Sequence, residues 1–146
     1  MQEFKFNNSY EEFKIGGKTY KVDFSDEKIK EYIKSIKEYE SRAKELEERS
    51  KDDLSEEEQL QLVDDSLKEL ESFIDLVLGK DNFTEIYEAS GKSMYNMQLF
   101  SEWLAVFLGE NVQKKKGDAI KRYKKWLNVY TRKEKYYRAW RTNIWD

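Results

Sequence analysis

Apolar positions in this chain recur first every second residue, then every third or fourth. Glu12-Phe13-Lys14-Ile15 alternates, Gly16-Gly17 interrupts, and Lys18-Thr19-Tyr20-Lys21-Val22-Asp23-Phe24 alternates again. Alternation on both sides of a Gly-Gly pair predicts a β-hairpin, because a two-residue turn needs the positive φ that glycine adopts without strain. Phe13 and Ile15 share one face of the first strand, and Tyr20, Val22 and Phe24 share one face of the second. A lone hairpin is marginal in water, so this face is expected to dock on a helix.

From Ser25 the period changes. Ser25 is a cap residue, and Asp26 and Glu27 suit the positive end of a helix. Ile29, Tyr32, Ile36, Tyr39, Ala43 and Leu46 follow at steps of three and four, a heptad seam with a charged opposite face. Lys51-Asp52-Asp53 breaks the pattern. Ser55 with Glu58 forms a capping-box signature, and Leu60, Val63, Leu67, Leu70, Ile74 and Val77 repeat the spacing up to Gly79, a left-handed C-terminal candidate. Two adjacent seams of matched length predict an antiparallel αα-hairpin within the chain rather than an intermolecular coiled coil. Each seam is narrow, so a further element is expected to cover it. Asn82 to Tyr87 reads as a short helix ending near Gly91. Ser93 then caps a helix with a wide apolar face: Met97, Phe100, Trp103, Leu104, Phe107 and Leu108. Gly109 is expected to end it, Lys114-Lys115-Lys116-Gly117 to form a basic linker, and Asp118 to open a last helix reaching about Arg141. The fold class is therefore mainly α, with an N-terminal β-hairpin, an antiparallel αα-hairpin, further helices and a basic aromatic C-terminal helix.

Composition narrows the chemistry. The 146 residues include no His, Cys or Pro. Zinc sites, disulfides and Ser-His-Asp or Cys-His catalysis lose their usual residues, and helices meet no forced break. Catalytic, cofactor and metal roles are expected to be none. The first residues, Met1-Gln2-Glu3-Phe4-Lys5-Phe6, carry no apolar run of the signal-peptide kind. The longest apolar stretches, Leu76-Val77-Leu78 and Leu104-Ala105-Val106-Phe107-Leu108, fall far short of the roughly 20 residues that span a bilayer. A soluble, cytoplasmic protein is expected.

The net charge of -3 conceals an asymmetry. Residues 1–110 carry 15 basic and 27 acidic residues, a balance of -12; residues 111–146 carry 12 and 3, a balance of +9. This predicts an acidic hairpin-plus-helical domain, 1–110, and a basic aromatic helical segment, 111–146, that docks on its own body or on a partner.

The acidic cluster Asp52, Asp53, Glu56, Glu57, Glu58, Asp64 and Asp65 lacks the spacing and central Gly of a calcium loop and reads as a solvated helix start. Gly16-Gly17 is followed by no helix and no GK[ST], so it is a turn and not a phosphate loop. Nothing places two carboxylates in an apolar cleft for glycoside hydrolysis. The face around Phe100, Trp103 and Phe107 reads as core that also leaves surface for a partner. At the C-terminus Tyr123, Trp126, Tyr130, Tyr137 and Trp140 recur at helical spacing, interleaved with Lys121, Arg122, Lys124, Lys125, Arg132, Lys133, Lys135, Arg138 and Arg141. Trp, Tyr and Arg are the common anchors of protein interfaces. The same mixture suits phosphate contacts with base stacking, and a basic amphipathic helix also suits an anionic membrane surface. A protein partner ranks first, then self-docking, then nucleic acid, and membrane last. The candidate partner-binding residues are Phe100, Trp103, Phe107, Tyr123, Trp126, Tyr130, Tyr137 and Trp140.

The order of parts resembles a known group. A short hairpin, Phe13-Lys14-Ile15-Gly16-Gly17-Lys18-Thr19-Tyr20-Lys21-Val22-Asp23-Phe24-Ser25-Asp26, is followed by a charged αα-hairpin. Then come Phe73-Ile74-Asp75-Leu76-Val77-Leu78-Gly79-Lys80-Asp81-Asn82-Phe83-Thr84-Glu85-Ile86-Tyr87 and an aromatic helix running into a basic stretch. Over roughly residues 12–125 this is similar to the small helical tail-assembly-chaperone-like proteins of tailed phages of Gram-positive bacteria. The resemblance implies a non-enzymatic role: binding the tape measure protein, keeping it soluble, gathering tail tube subunits around it, and self-association, in the host cytoplasm. Members of that group stop soon after the basic stretch, whereas this chain continues from Trp126 to Trp145. The alternative function is a nucleic-acid-associated protein acting through the same tail.

Overall fold

In a computed structural model, the backbone of residues 1–145 and the side chains of residues 1–122 and 124 are described. The chain is mainly helical behind an N-terminal antiparallel hairpin. Its elements are β1 (Tyr10–Ile15), β2 (Lys18–Asp23), α1 (Asp26–Ser50), α2 (Glu56–Leu78), α3 (Phe83–Ala89) and α4 (Met94–Trp145). Packing divides it into two units, Met1–Phe107 and Leu108–Asp146. The second unit begins within α4.

Strand register follows from the turn. Gly16 and Gly17 take φ of 55° and 85°, the two positive values of the hairpin turn whose twist matches that of the strands. Ile15 therefore pairs with Lys18, Phe13 with Tyr20 and Glu11 with Val22. Directly opposed residues share a face, so Phe13, Ile15, Tyr20 and Val22 form one apolar surface. That face packs into the helices. Tyr20 joins Ile74 of α2, Ile86 of α3 and Met97 of α4 in a buried cluster, with Phe13, Ile15, Leu70, Leu78, Phe83, Tyr87 and Phe100 against it. At the cluster's edge Lys18 donates to the Glu85 carboxylate, which ties the hairpin to α3.

The helix ends use the expected caps. The Ser25 hydroxyl accepts from the Lys28 amide at 3.4 Å. Ser55 and Glu58 exchange a complete capping box. The Asn96 amide donates to the Ser93 hydroxyl at 3.2 Å. Gly79 ends α2 at φ 87°, ψ 165°, an extended region open to glycine and not the left-handed helical one expected.

Three expectations about α4 are corrected. Gly109 does not end a helix, Lys114–Gly117 is not a linker, and Asp118 does not open a separate last helix ending near Arg141, because α4 runs unbroken from Met94 to Trp145. Neither glycine has a positive φ. An interior glycine costs a helix only about 1 kcal/mol against Ala, and the lysines beside Gly117 are good helix formers. Without proline nothing forces a break.

Tyr32 of α1 is fully buried. Its hydroxyl donates to the Asp23 carbonyl at 2.8 Å, joining the end of β2 to α1, and its ring meets Phe24 edge-on at 6.0 Å. Burial, and then the Asp23 and Glu31 carboxylates, push its phenol well above the ordinary range. Unfolded tyrosine ionises near pH 10, whereas folded Tyr32 keeps its proton. Its contribution is thus fully present below about pH 10 and declines as pH rises beyond it. Tyr32→Phe is predicted to cost about 1 kcal/mol at neutral pH. It should also make the alkaline loss of stability shallower, as read from denaturant midpoints across a pH series. Phe13→Ala should cost about 2–3 kcal/mol, below the ~3–5 of a fully buried Phe, in the same assay.

Candidate functional site

The site lies within the first unit and is built from α1, α2 and the first turns of α4. Helices α1 and α2 form the antiparallel pair that the two seams predicted. Arg42 bonds Glu69 at 2.7 Å and Arg49 bonds Asp65 at 3.1 Å across the pair. Asp65 also accepts from Gln61; that bond and then the Arg49 bond hold its carboxyl below the usual range. Tyr39 meets Phe73 edge-on at 5.5 Å, and the Arg42 guanidinium sits 4.6 Å over the Tyr39 ring. Burial pushes the Tyr39 phenol up, against the opposing effect of Arg42.

The pair is well covered at one end and open at the other. Phe73, Ile74 and Val77 of α2 are buried. Toward the loop joining α1 and α2, Leu60 is 62% exposed and Val63 40% exposed, and Ala43 is exposed as well. This corrects the expected phase of the second seam, because Leu62, and not Leu60 or Val63, is half-buried there. Among the described residues of the first unit, no third element closes over that end.

What remains is a groove of about 800 Å³ among α1, α2 and α4, in the upper part of the ~300–1,000 Å³ range of binding clefts. Ile36, Tyr39, Ala43 and Leu46 of α1 and Leu62, Val63, Leu70 and Phe73 of α2 give it an apolar floor. Met94, Gln98, Ser101, Glu102 and Ala105 of α4 form the facing wall. Glu40, Glu47, Glu69 and Glu102 stand around it, and no Lys or Arg is among its described lining residues. Of the four, Glu69 is held by Arg42, and Glu47 lies 3.9 Å from Lys51.

The first turns of α4 present three faces. Met97 and Leu104 are buried. A second face walls the groove. The third carries Tyr95, Leu99, Trp103 and Val106, which are 68%, 48%, 48% and 59% exposed. Spacings of four, four and three keep these residues within about 80° of arc at 100° per residue. They form a continuous apolar stripe on the solvent side.

The eight sequence-nominated residues separate into groups. Phe100 and Phe107 are half-buried and hold the hairpin, with ring centroids 6.1 Å and 5.7 Å from Phe13. Trp103 stacks on Phe107 at 5.3 Å and meets Phe13 edge-on at 5.2 Å, yet keeps almost half its surface in water. Tyr123, Trp126, Tyr130, Tyr137 and Trp140 belong to the backbone of α4, and their side chains lie outside the described residues. Sequence reading missed Tyr95, Leu99 and Val106, whose helical spacing was visible but lay beside the stronger Phe100-Trp103-Phe107 signal. It also missed the four glutamates, which looked like an ordinary solvated face. The acidic cluster at Asp52–Asp65 does not converge: among the described residues no three acidic groups are placed to hold a metal ion. Among them, too, no helix is long and apolar enough to cross a membrane.

Comparison with known proteins adds no relative: no protein-family model, curated protein or solved structure matches this chain.

The exposure pattern has a direct consequence for stability. Val63→Ser in the open groove should change unfolding free energy by no more than about 0.5 kcal/mol. Ile74→Ala, at the covered end of the same helix, should cost about 2–5 kcal/mol. Paired urea titrations check the contrast.

Proposed function

We propose that this protein is a non-enzymatic binding protein of the tail-assembly-chaperone kind, which covers apolar segments of the tape measure protein or of tail tube subunits during phage tail assembly. The observation that carries the reading is the stripe of Tyr95, Leu99, Trp103 and Val106 on α4. Contiguous exposed apolar surface is costly for a small charged protein and commonly marks an interaction site. Trp and Tyr supply large contact area with few rotatable bonds, the usual make-up of interface anchors. The hairpin holds Trp103 from behind through Phe13, so the indole is oriented before a partner arrives, which lowers the ordering cost of association.

Co-expression with the tape measure protein of a tailed phage of a Gram-positive host tests the reading. The intact chain should raise the soluble fraction of the tape measure protein and co-purify with it. Leu99→Ser/Val106→Ser alters two residues outside the hairpin contacts. It should retain the thermal melt of the parent and lose at least about 1–2 kcal/mol of binding, a tenfold or greater drop in affinity. A tape measure protein that stays insoluble with the intact chain, or binds both forms equally, contradicts the proposal.

A further inference from the structure

The groove among α1, α2 and α4 asks for a particular ligand. Its floor is aliphatic and aromatic, while its lips carry Glu40, Glu47, Glu69 and Glu102. Glu69 and Glu47 already face Arg42 and Lys51, and a plain apolar peptide would add no cation for Glu40 and Glu102. A basic amphipathic helix would place apolar side chains on the floor and cations at the lips, the helix-in-groove mode of recognition. The lining on α1 runs from Ile36 to Ser50, about 21 Å at 1.5 Å per residue.

The chain carries a segment of that chemistry. Tyr123, Trp126, Tyr130 and Tyr137 recur at helical spacing in the sequence, with Lys121, Lys125, Arg132, Lys133 and Arg138 between them. At 100° per residue the four aromatics fall within about 60° of arc. Tyr123 to Tyr137 spans about 21 Å along a helix axis, the length of the α1 lining. The body that holds the groove is the acidic part of the chain, at -12 over residues 1–110, and the segment belongs to the basic part, at +9 over residues 111–146. Met94–Ala105, which wall the groove, and Tyr123–Tyr137 belong to one uninterrupted helix. Charge, helical spacing and length thus match the groove to this segment as carried by a second copy of the chain.

We infer that the groove is the docking site for residues 121–138 of a second copy of this chain, giving a self-assembly held by aromatic burial and opposite charge. The inference is independent of the stripe at Tyr95, Leu99 and Val106, which faces away from the groove.

Sedimentation velocity on the full chain over a concentration series tests it. The intact chain should associate, and its dissociation constant should rise with salt, as expected for paired charges across an interface. Glu40→Lys/Glu47→Lys/Glu102→Lys reverses three lip charges. It should raise the dissociation constant tenfold or more, and the Glu→Gln triple should raise it less. Trp126→Ala/Tyr130→Ala should weaken association similarly. Each of these two weakened variants retains one intact half, groove or segment, so mixing them should restore a complex. Leu99→Ser/Val106→Ser should associate like the parent, which separates this result from the fate of the tape measure proposal. Three results would overturn the inference: a full chain monomeric at every concentration, whether its tail docks internally or awaits a foreign protein; association indifferent to both lip and segment changes; or folded variants that fail to complement.

Discussion

Phe13 contacts four aromatic rings at once. Tyr20 stacks on it across the hairpin at 5.7 Å, and Phe100, Trp103 and Phe107 approach from α4 at 5.2–6.1 Å. A two-stranded hairpin has too little face to hold itself together in water. Its stability is therefore borrowed from α4, and from Ile74 and Ile86 beneath Tyr20. Rings that meet edge-to-face or offset add to the gain from burial alone. This docking also fixes the rotation of α4. Once Phe100 and Phe107 turn toward Phe13, and Met97 and Leu104 toward the core, Tyr95, Leu99 and Val106 are left facing solvent.

The same arrangement explains why the αα-hairpin is unevenly covered. Tyr20, Ile86 and Met97 cover Ile74, and Tyr39 of α1 meets Phe73. At the other end α1 and α2 hold each other through Arg42–Glu69 and Arg49–Asp65, with Leu62 half-buried between them. Surface ion pairs of this kind specify which helix faces meet more than they add net stability. On the α4 side of the gap stand Ser101, Glu102 and Ala105, whose small or charged side chains leave the groove open.

Much of this was legible from residue spacing. Gly16-Gly17 between alternating segments specified both the hairpin and its register, because glycine is the residue that pays nothing for two successive positive φ values. Ser25, Ser55 and Ser93 marked three helix starts, since a cap is a local bond between neighbours in sequence. The failures were non-local. Gly109 and Gly117 looked like stops, but a helix with enough propensity elsewhere carries them. Leu60 and Val63 fit the seam as well as Leu67 did, yet among the described residues of the first unit nothing covers them, and spacing along one helix cannot report that. The groove was invisible for the same reason: its floor, wall and lips come from three helices, and each glutamate alone resembles ordinary solvated surface.

Solvent paramagnetic relaxation measured on a dilute, methyl-labelled sample tests most directly whether α4 is oriented as described. The account predicts strong broadening of the Ala43, Val63, Leu99 and Val106 methyls by a soluble neutral probe, with Ile74, Val77, Ile86 and Leu104 protected. Uniform protection of the first set, or broadening of Leu104 with Leu99 shielded, would mean that α4 turns another face to the hairpin, and neither the groove nor the stripe would exist in solution.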